Sequence, residues 1–156
     1  MAETYVLDTN ILVGYIRDAP YSRFVDDEIS PFEGDNIALV SIVTHGELIS
    51  LAYQLGWGKK KRGHLRRQLR EVPAVNIDYS EIIDRYAEID AYSQGKLQGK
   101  PLGTSSRNMG KNDLWIAATA SVTEASLLTT DKDFDHLDDE YLDVLYVDPD
   151  GDYRIA

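Results

Sequence analysis

Cysteine is absent from the 156 residues, which removes thiol catalysis, cysteine-ligated zinc and a disulfide framework together and is compatible with a reducing compartment. Any ligand chemistry must rest on oxygen or nitrogen. Long apolar runs are also missing, since nothing in the chain approaches the roughly 18 residues of a membrane span. The opening MAETYVLDTN has neither a basic nor an apolar leader segment, so a cytoplasmic protein with no membrane attachment is expected. Histidine is scarce: there are three, with no HxH or HExxH pairing. His45 adjoins an apolar helix and His64 sits among basic residues, so both read as structural or solvated rather than as acid–base groups.

Positive charge is the other shortage. Lys and Arg total 16 against 27 Asp and Glu, a net charge of -11, whereas polyanion binding normally rests on cations that release counterions from phosphate. The few cations are concentrated, however. The run KKKRGHLRRQLR, Lys59 to Arg70, holds seven of the 16 and no acid, leaving nine basic residues against all 27 acidic ones elsewhere. The acid excess by itself fits a strongly hydrated, Asp-rich surface of the kind that suits high salt.

The length suits one domain with a layered core. We expect that domain over residues 1–148 and a polar, frayed tail over 149–156, which reads DPDGDYRIA from Asp148 onward. Short apolar runs alternate with helical patterns, as in parallel βαβ units. Strands are expected at Tyr5 to Leu7, Ile37 to Val40, Ala74 to Ile77, Ser126 to Thr129 and Val144 to Val147. Leu48, Leu51, Ala52 and Leu55 keep the i, i+3, i+4, i+7 spacing of one helix face. Ile82, Ile83, Tyr86, Ile89 and Tyr92 mark a longer helix, and Asn112 to Val122 a third; shorter helices follow Asn10 and Tyr21. The stretch GKPLGTSSRNMGK, residues 99–111, reads as a mobile loop, either a plain connection or a flap over a site.

In an open parallel sheet, ligands bind beyond the carboxyl ends of the strands, and four acids occupy such places. Asp8 ends the first strand in YVLDTN, Asp131 follows another in LLTTDKDF, Asp113 opens a helix in NDLWIAATA, and Glu47 lies at the edge of the apolar face in VTHGELISLA. Each also has an ordinary explanation: a helix cap for Asp8, a helix-dipole contact for Asp113, an Asx-turn for Asp131, a solvated helix position for Glu47. Together, at independent sheet-top positions, they are expected to converge on one small volume, where neighbouring carboxylates repel by roughly 1 to 4 kcal/mol per pair unless a cation offsets them. An all-oxygen set favours Mg²⁺ or Mn²⁺ over Zn²⁺. Such an ion acidifies a water for in-line attack at phosphorus, so phosphodiester hydrolysis is the natural reaction class.

The order LDTNILVGYI, VTHGEL, NDLWIAATA, LLTTDKDF closely resembles the PIN domain, particularly the toxin ribonucleases of the VapC type, from Tyr5 to about Phe134. On that resemblance the four motif acids are Asp8, Glu47, Asp113 and Asp131, and the fold is α/β: three layers, with a five-stranded, mostly parallel sheet flanked by helices. The resemblance further implies Mg²⁺- or Mn²⁺-dependent endonucleolytic cleavage of RNA, frequent homodimers, and an antitoxin that occupies the acidic groove of a type II toxin–antitoxin pair. Asn10 and Thr130 match polar positions that orient a carboxylate or a water, and Asp133 is either an accessory acid or a cap for the segment after it.

Lys59, Lys60, Lys61, Arg62, Arg66, Arg67 and Arg70 are the candidate RNA-phosphate contacts, with charge pairing inside the molecule or across a dimer as the alternative. Trp57 and Trp115 are candidates for stacking on bases, although the alanine-rich helix around Trp115 favours core packing. A haloacid-dehalogenase-type phosphatase would need an aspartate where Asn10 stands, and a receiver domain would need paired acids near its N-terminus. A catalytically silent PIN-like module that binds RNA or protein is the other alternative.

Overall fold

The structure, a computed structural model, describes residues 2–153. Five strands form one sheet in the order β3-β2-β1-β4-β5: β1 Thr4–Leu7, β2 Ile37–Ser41, β3 Ala74–Val75, β4 Ser126–Thr129 and β5 Asp143–Tyr146. Every pairing is parallel. The helices are α1 Thr9–Ile16, α2 Pro20–Phe24, α3 Ile42–Gln54, α4 Lys59–Glu71, α5 Ser80–Ser93 and α6 Lys111–Val122, with a π turn at Val25–Ile29 and a 3₁₀ turn at Lys132–Leu137. None of the helices among the described residues is long and apolar enough to cross a membrane.

Strand periodicity decides the layers. Tyr5 and Leu7 point to one face of the sheet with Leu128, and there they meet Ile11 and Leu12 of α1, Leu48 of α3 and Leu65 of α4. Val6 and Leu127 point to the other face, where Leu114, Ile116 and Ala117 of α6 and Ile82 and Ile89 of α5 cover them. Successive residues of a strand alternate between faces, so two apolar layers require central strands with no polar side at all. The sequence supplies this in YVL and in Leu127 and Leu128.

The strand order places a reversal beside β1. From β1 the chain steps outward to β2 and β3, then crosses back to β4 on the opposite flank of β1 and on to β5. Between β1 and β4 the connections therefore lead away in opposite directions and leave a crevice at the carboxyl ends of the two strands. The Asp8 N–H donates to Leu128 O at 2.9 Å, continuing the ladder to the lip of that crevice.

Three expectations need correction. β3 stops at Val75 instead of Ile77, because Asn76 bends the chain and its Oδ1 accepts the Ile77 N–H at 3.0 Å. The 99–111 stretch is irregular, as expected, but its end is pinned: Met109 is buried and the Arg107 N–H donates to Ser93 O at 2.7 Å. The tail is not simply frayed, since the Tyr153 ring lies 4.8 Å from that of Phe24 and its hydroxyl donates to Asp148 O. The last residues, 154–156, lie outside the described part.

Candidate active site

The crevice holds the acids. Asp8 follows β1 in an extended conformation and caps α1, its Oδ1 accepting the Thr9 N–H at 2.8 Å. Its other oxygen, Oδ2, accepts from Thr129 Oγ1 at 2.7 Å. Thr129 closes β4 and also accepts the Asp131 N–H at 3.0 Å, so a single hydroxyl links the acid after β1 to the acid after β4. Asp131 Oδ1 in turn accepts the Asp133 N–H and caps the 3₁₀ turn.

The other two acids arrive on helices. Glu47 lies on α3, which Ser41 caps through the Val43 N–H; Glu47 Oε1 accepts from Thr9 Oγ1 at 2.7 Å, and that hydroxyl is 3.2 Å from Thr44 Oγ1. Asp113 occupies the first turn of α6, where the positive end of the helix dipole favours a carboxylate. Asp8, Glu47, Asp113 and Asp131 all line one groove of about 630 Å³, with Asn10, Ser50, Leu51, Gln54 and Asn112 along its walls.

Electrostatics mark the cluster as strained without a cation. Burial pushes the Asp8 carboxyl up to about 6, against the Thr129 and Thr9 hydrogen bonds, with the charges of Glu47 and Asp131 adding to the rise. Burial likewise raises Asp113 to about 7, helped by Asp8, Asp131, Glu47 and Asp133. Carboxylate oxygens of Asp113, Asp131 and Asp133 come within 4.8 Å of one another. Oxygens on opposite sides of one Mg²⁺ stand about 4.2 Å apart, given a metal–oxygen distance of 2.0–2.1 Å. The donor set therefore fits a hard divalent ion after small side-chain adjustments. The ion pairs found among the described residues, Arg23–Asp18 and Lys100–Glu140, lie away from these acids.

A second acidic group shows what the first has in addition. Asp138, Asp139 and Asp143 also bring oxygens within 4.8 Å, but all three are exposed, and Asp143 begins β5, so they sit toward the opposite end of the sheet. Water can screen their repulsion.

The accessory residues divide. Asn10 is exposed on the groove wall. Thr130 is half-buried and does not line the groove, whereas the neighbouring Thr129 donates to Asp8. Asp133 joins the close acidic group, and the capping role considered for it belongs to Asp131. Trp57 is 6% exposed and cannot stack on a base; Trp115 is half-buried and already stacked on Tyr86 at 4.0 Å between centroids. His45 and His64 are half-buried and line no part of the groove. All seven basic residues of α4 are exposed. Thr9 and Thr44 escaped the sequence reading; the signal available for Thr9 was its place between Asp8 and Asn10.

The PIN-domain family model matches residues 5–140. The chain belongs to the PIN-domain family. It is 28% identical over 139 residues to Ribonuclease VapC1 of Haemophilus influenzae (strain R2866), covering 86% of this chain and 92% of that protein. Among solved structures, VapBC-1 from nontypeable Haemophilus influenzae superposes with a TM-score of 0.63 at 26% identity, covering 92% of this chain and 97% of the other. VapBC-5 of Mycobacterium tuberculosis, a member of the VapBC family of toxin–antitoxin systems, shares the fold at a TM-score of 0.60 and 22% identity, covering 92% and 98%. The PIN-domain match spans all four motifs, and the resemblance read from them extends to the whole three-layer architecture.

Proposed function

We propose that this PIN domain is a Mg²⁺- or Mn²⁺-dependent endoribonuclease and the toxin of a type II toxin–antitoxin pair. The observation that carries the proposal is the convergence of Asp8, Glu47, Asp113 and Asp131 on one groove, two of them held by threonines. The VapC1 relative is a ribonuclease by name, which supports RNA as the substrate. When bound, the divalent ion supplies an acidified water and neutralises charge on the phosphate and the leaving oxygen. The chain's part is positional. Thr129 and the Thr9 amide fix both oxygens of Asp8, Thr9 fixes Glu47, and α6 presents Asp113 from its first turn. The attacking water forms a bond to phosphorus as the ester P–O bond breaks, and its proton passes to one of the carboxylates or to solvent.

An antitoxin partner is part of the proposal, with the acidic groove as its seat, as is function in the cytoplasm. Homodimerisation is proposed as well, supported by the exposed Ile49, Tyr53 and Leu55 toward the end of α3. The test is cleavage of a mixed RNA pool with Mg²⁺, Mn²⁺ or EDTA, wild type beside Asp8→Asn. Metal-dependent cleavage confined to wild type is expected. Equal cleavage by both would expose a contaminant, and no cleavage by folded, metal-supplied protein over varied RNAs would leave a silent binding module.

A further inference from the structure

α4 is an electrostatic anomaly. Four consecutive cations, Lys59 to Arg62, fill its first turn, its cap Gly58 provides no side-chain acceptor, and no acid lies in that turn. Positive charge at a helix N-terminus opposes the macrodipole and works against helix formation. Among the described residues neither ion pair, Arg23–Asp18 or Lys100–Glu140, involves α4. The helix is held in place instead by its opposite face, where Leu65 and Val72 are buried, Leu69 packs on the core and Gln68 Nε2 donates to Leu12 O of α1 at 3.4 Å.

The burial of Leu65, Leu69 and Val72 leaves the outer face to the charges. Lys59, Arg62, Arg66 and Arg70 follow one another at three- and four-residue steps, so neighbours along this row stand roughly 5–6 Å apart at Cβ. Lys60 and Arg67 flank the row. The row begins one short turn beyond Gln54, the last groove-lining residue of α3. α3 lines the groove from Gly46 and Glu47 to Ser50, Leu51 and Gln54, and a short turn, residues 55–58, leads from there to Lys59. From Glu47 to Gln54 is about 10 Å along the helix axis.

We propose that α4 is the backbone track for single-stranded RNA, which leaves the acidic groove past Gln54 and lays its phosphates along Lys59, Arg62, Arg66 and Arg70. The inference rests on the nuclease reading for the identity of the polyanion. Two features favour RNA over an acidic protein: the row starts one short turn after the last groove-lining residue of α3, and the remaining nine basic residues face all 27 acidic ones. An enzyme with a net charge of -11 needs one localised cationic strip to hold a polyanion against its own field.

The test measures binding of a short mixed-sequence single-stranded RNA in EDTA, so that nothing is cleaved, as a function of salt. The triple variant Arg62→Gln, Arg66→Gln, Arg70→Gln is compared with wild type and with the control Arg17→Gln, Arg23→Gln, Lys96→Gln, which loses the same charge from exposed positions elsewhere. The α4 variant should bind on the order of tenfold more weakly at low salt, and the slope of log K against log salt should shrink by about 2. The control should keep the wild-type slope. With Mg²⁺ or Mn²⁺ present, the α4 variant should raise KM and leave kcat near wild type. Equal slopes in both variants, or an unchanged slope in the α4 variant, overturn the proposal; so does a change of oligomeric state on size exclusion with RNA binding intact, which would make α4 a protein interface. Absence of cleavage alongside the predicted slope change would instead count against the nuclease reading and spare the RNA track.

Discussion

Thr129 Oγ1 donates to Asp8 Oδ2 at 2.7 Å and accepts the Asp131 N–H at 3.0 Å, so one hydroxyl sets the spacing of the two acids that flank the crevice between β1 and β4. Groups that orient metal-ligating carboxylates typically cost roughly 10- to 100-fold in metal affinity or activity when removed. Thr129→Val should lose that much while keeping its fold, because valine fills the same volume in a buried site. Thr130→Val, half-buried and off the groove, should stay near wild type. Mn²⁺ titration and RNA turnover on both variants check the pair; equal losses would break the link between this hydrogen bond and the site.

Thr9 plays the matching part for Glu47. Thr9→Val leaves Glu47 Oε1 without its 2.7 Å donor and should weaken metal binding in the same range. The double variant with Thr129→Val should lose less than the product of the two single losses if both threonines tune one site. A fully multiplicative loss would place them in independent sites.

Asp8 and Asp113 titrate at about 6 and about 7 in the metal-free protein, above their value in an unfolded chain. The folded state therefore holds protons that the unfolded state has released, and the stability these groups contribute is fully present below about pH 3.8 and lost as pH rises through 6 to 7. In EDTA, melting temperature should fall across that window, and Asp113→Asn should melt higher than wild type at pH 8 while losing activity. Added Mn²⁺ should stabilise wild type progressively more from pH 5 to pH 8. A pH-independent effect of Mn²⁺ would contradict the assignment.

Phe134 is fully buried within the 3₁₀ turn that carries Asp133. Phe134→Ala should cost about 3–5 kcal/mol of stability, read by denaturant unfolding. Because Asp131 caps this turn, metal affinity should also fall at temperatures where the variant remains folded.

Much of this arrangement was legible in the sequence, for identifiable reasons. β4 and α6 stand within a residue of their expected bounds because each is a compact run of small and apolar residues that is buried almost throughout, and the acids follow from strand ends and a helix start. Thr129 was harder to find. Two adjacent threonines follow Leu128, and local pattern does not say where inward–outward alternation stops; the Val147 N–H donating to Thr129 O carries the ladder through Thr129, the last residue of β4. Trp57, a candidate for stacking on bases, is buried with Leu65 and Leu12 in the core. Tyr153 meets Phe24 from the far end of the chain. Long-range contacts of this kind leave no periodic trace.

Whether the crevice acids hold a metal ion is read from an anomalous difference map of crystals of this protein grown or soaked with Mn²⁺. A peak is expected among the carboxylates of Asp8, Asp113 and Asp131, within coordination distance of at least two of them, and should disappear in Asp113→Asn. A peak confined to Asp138, Asp139 and Asp143, or no peak at the crevice under Mn²⁺ concentrations that support RNA cleavage, would contradict a metal site among the crevice acids.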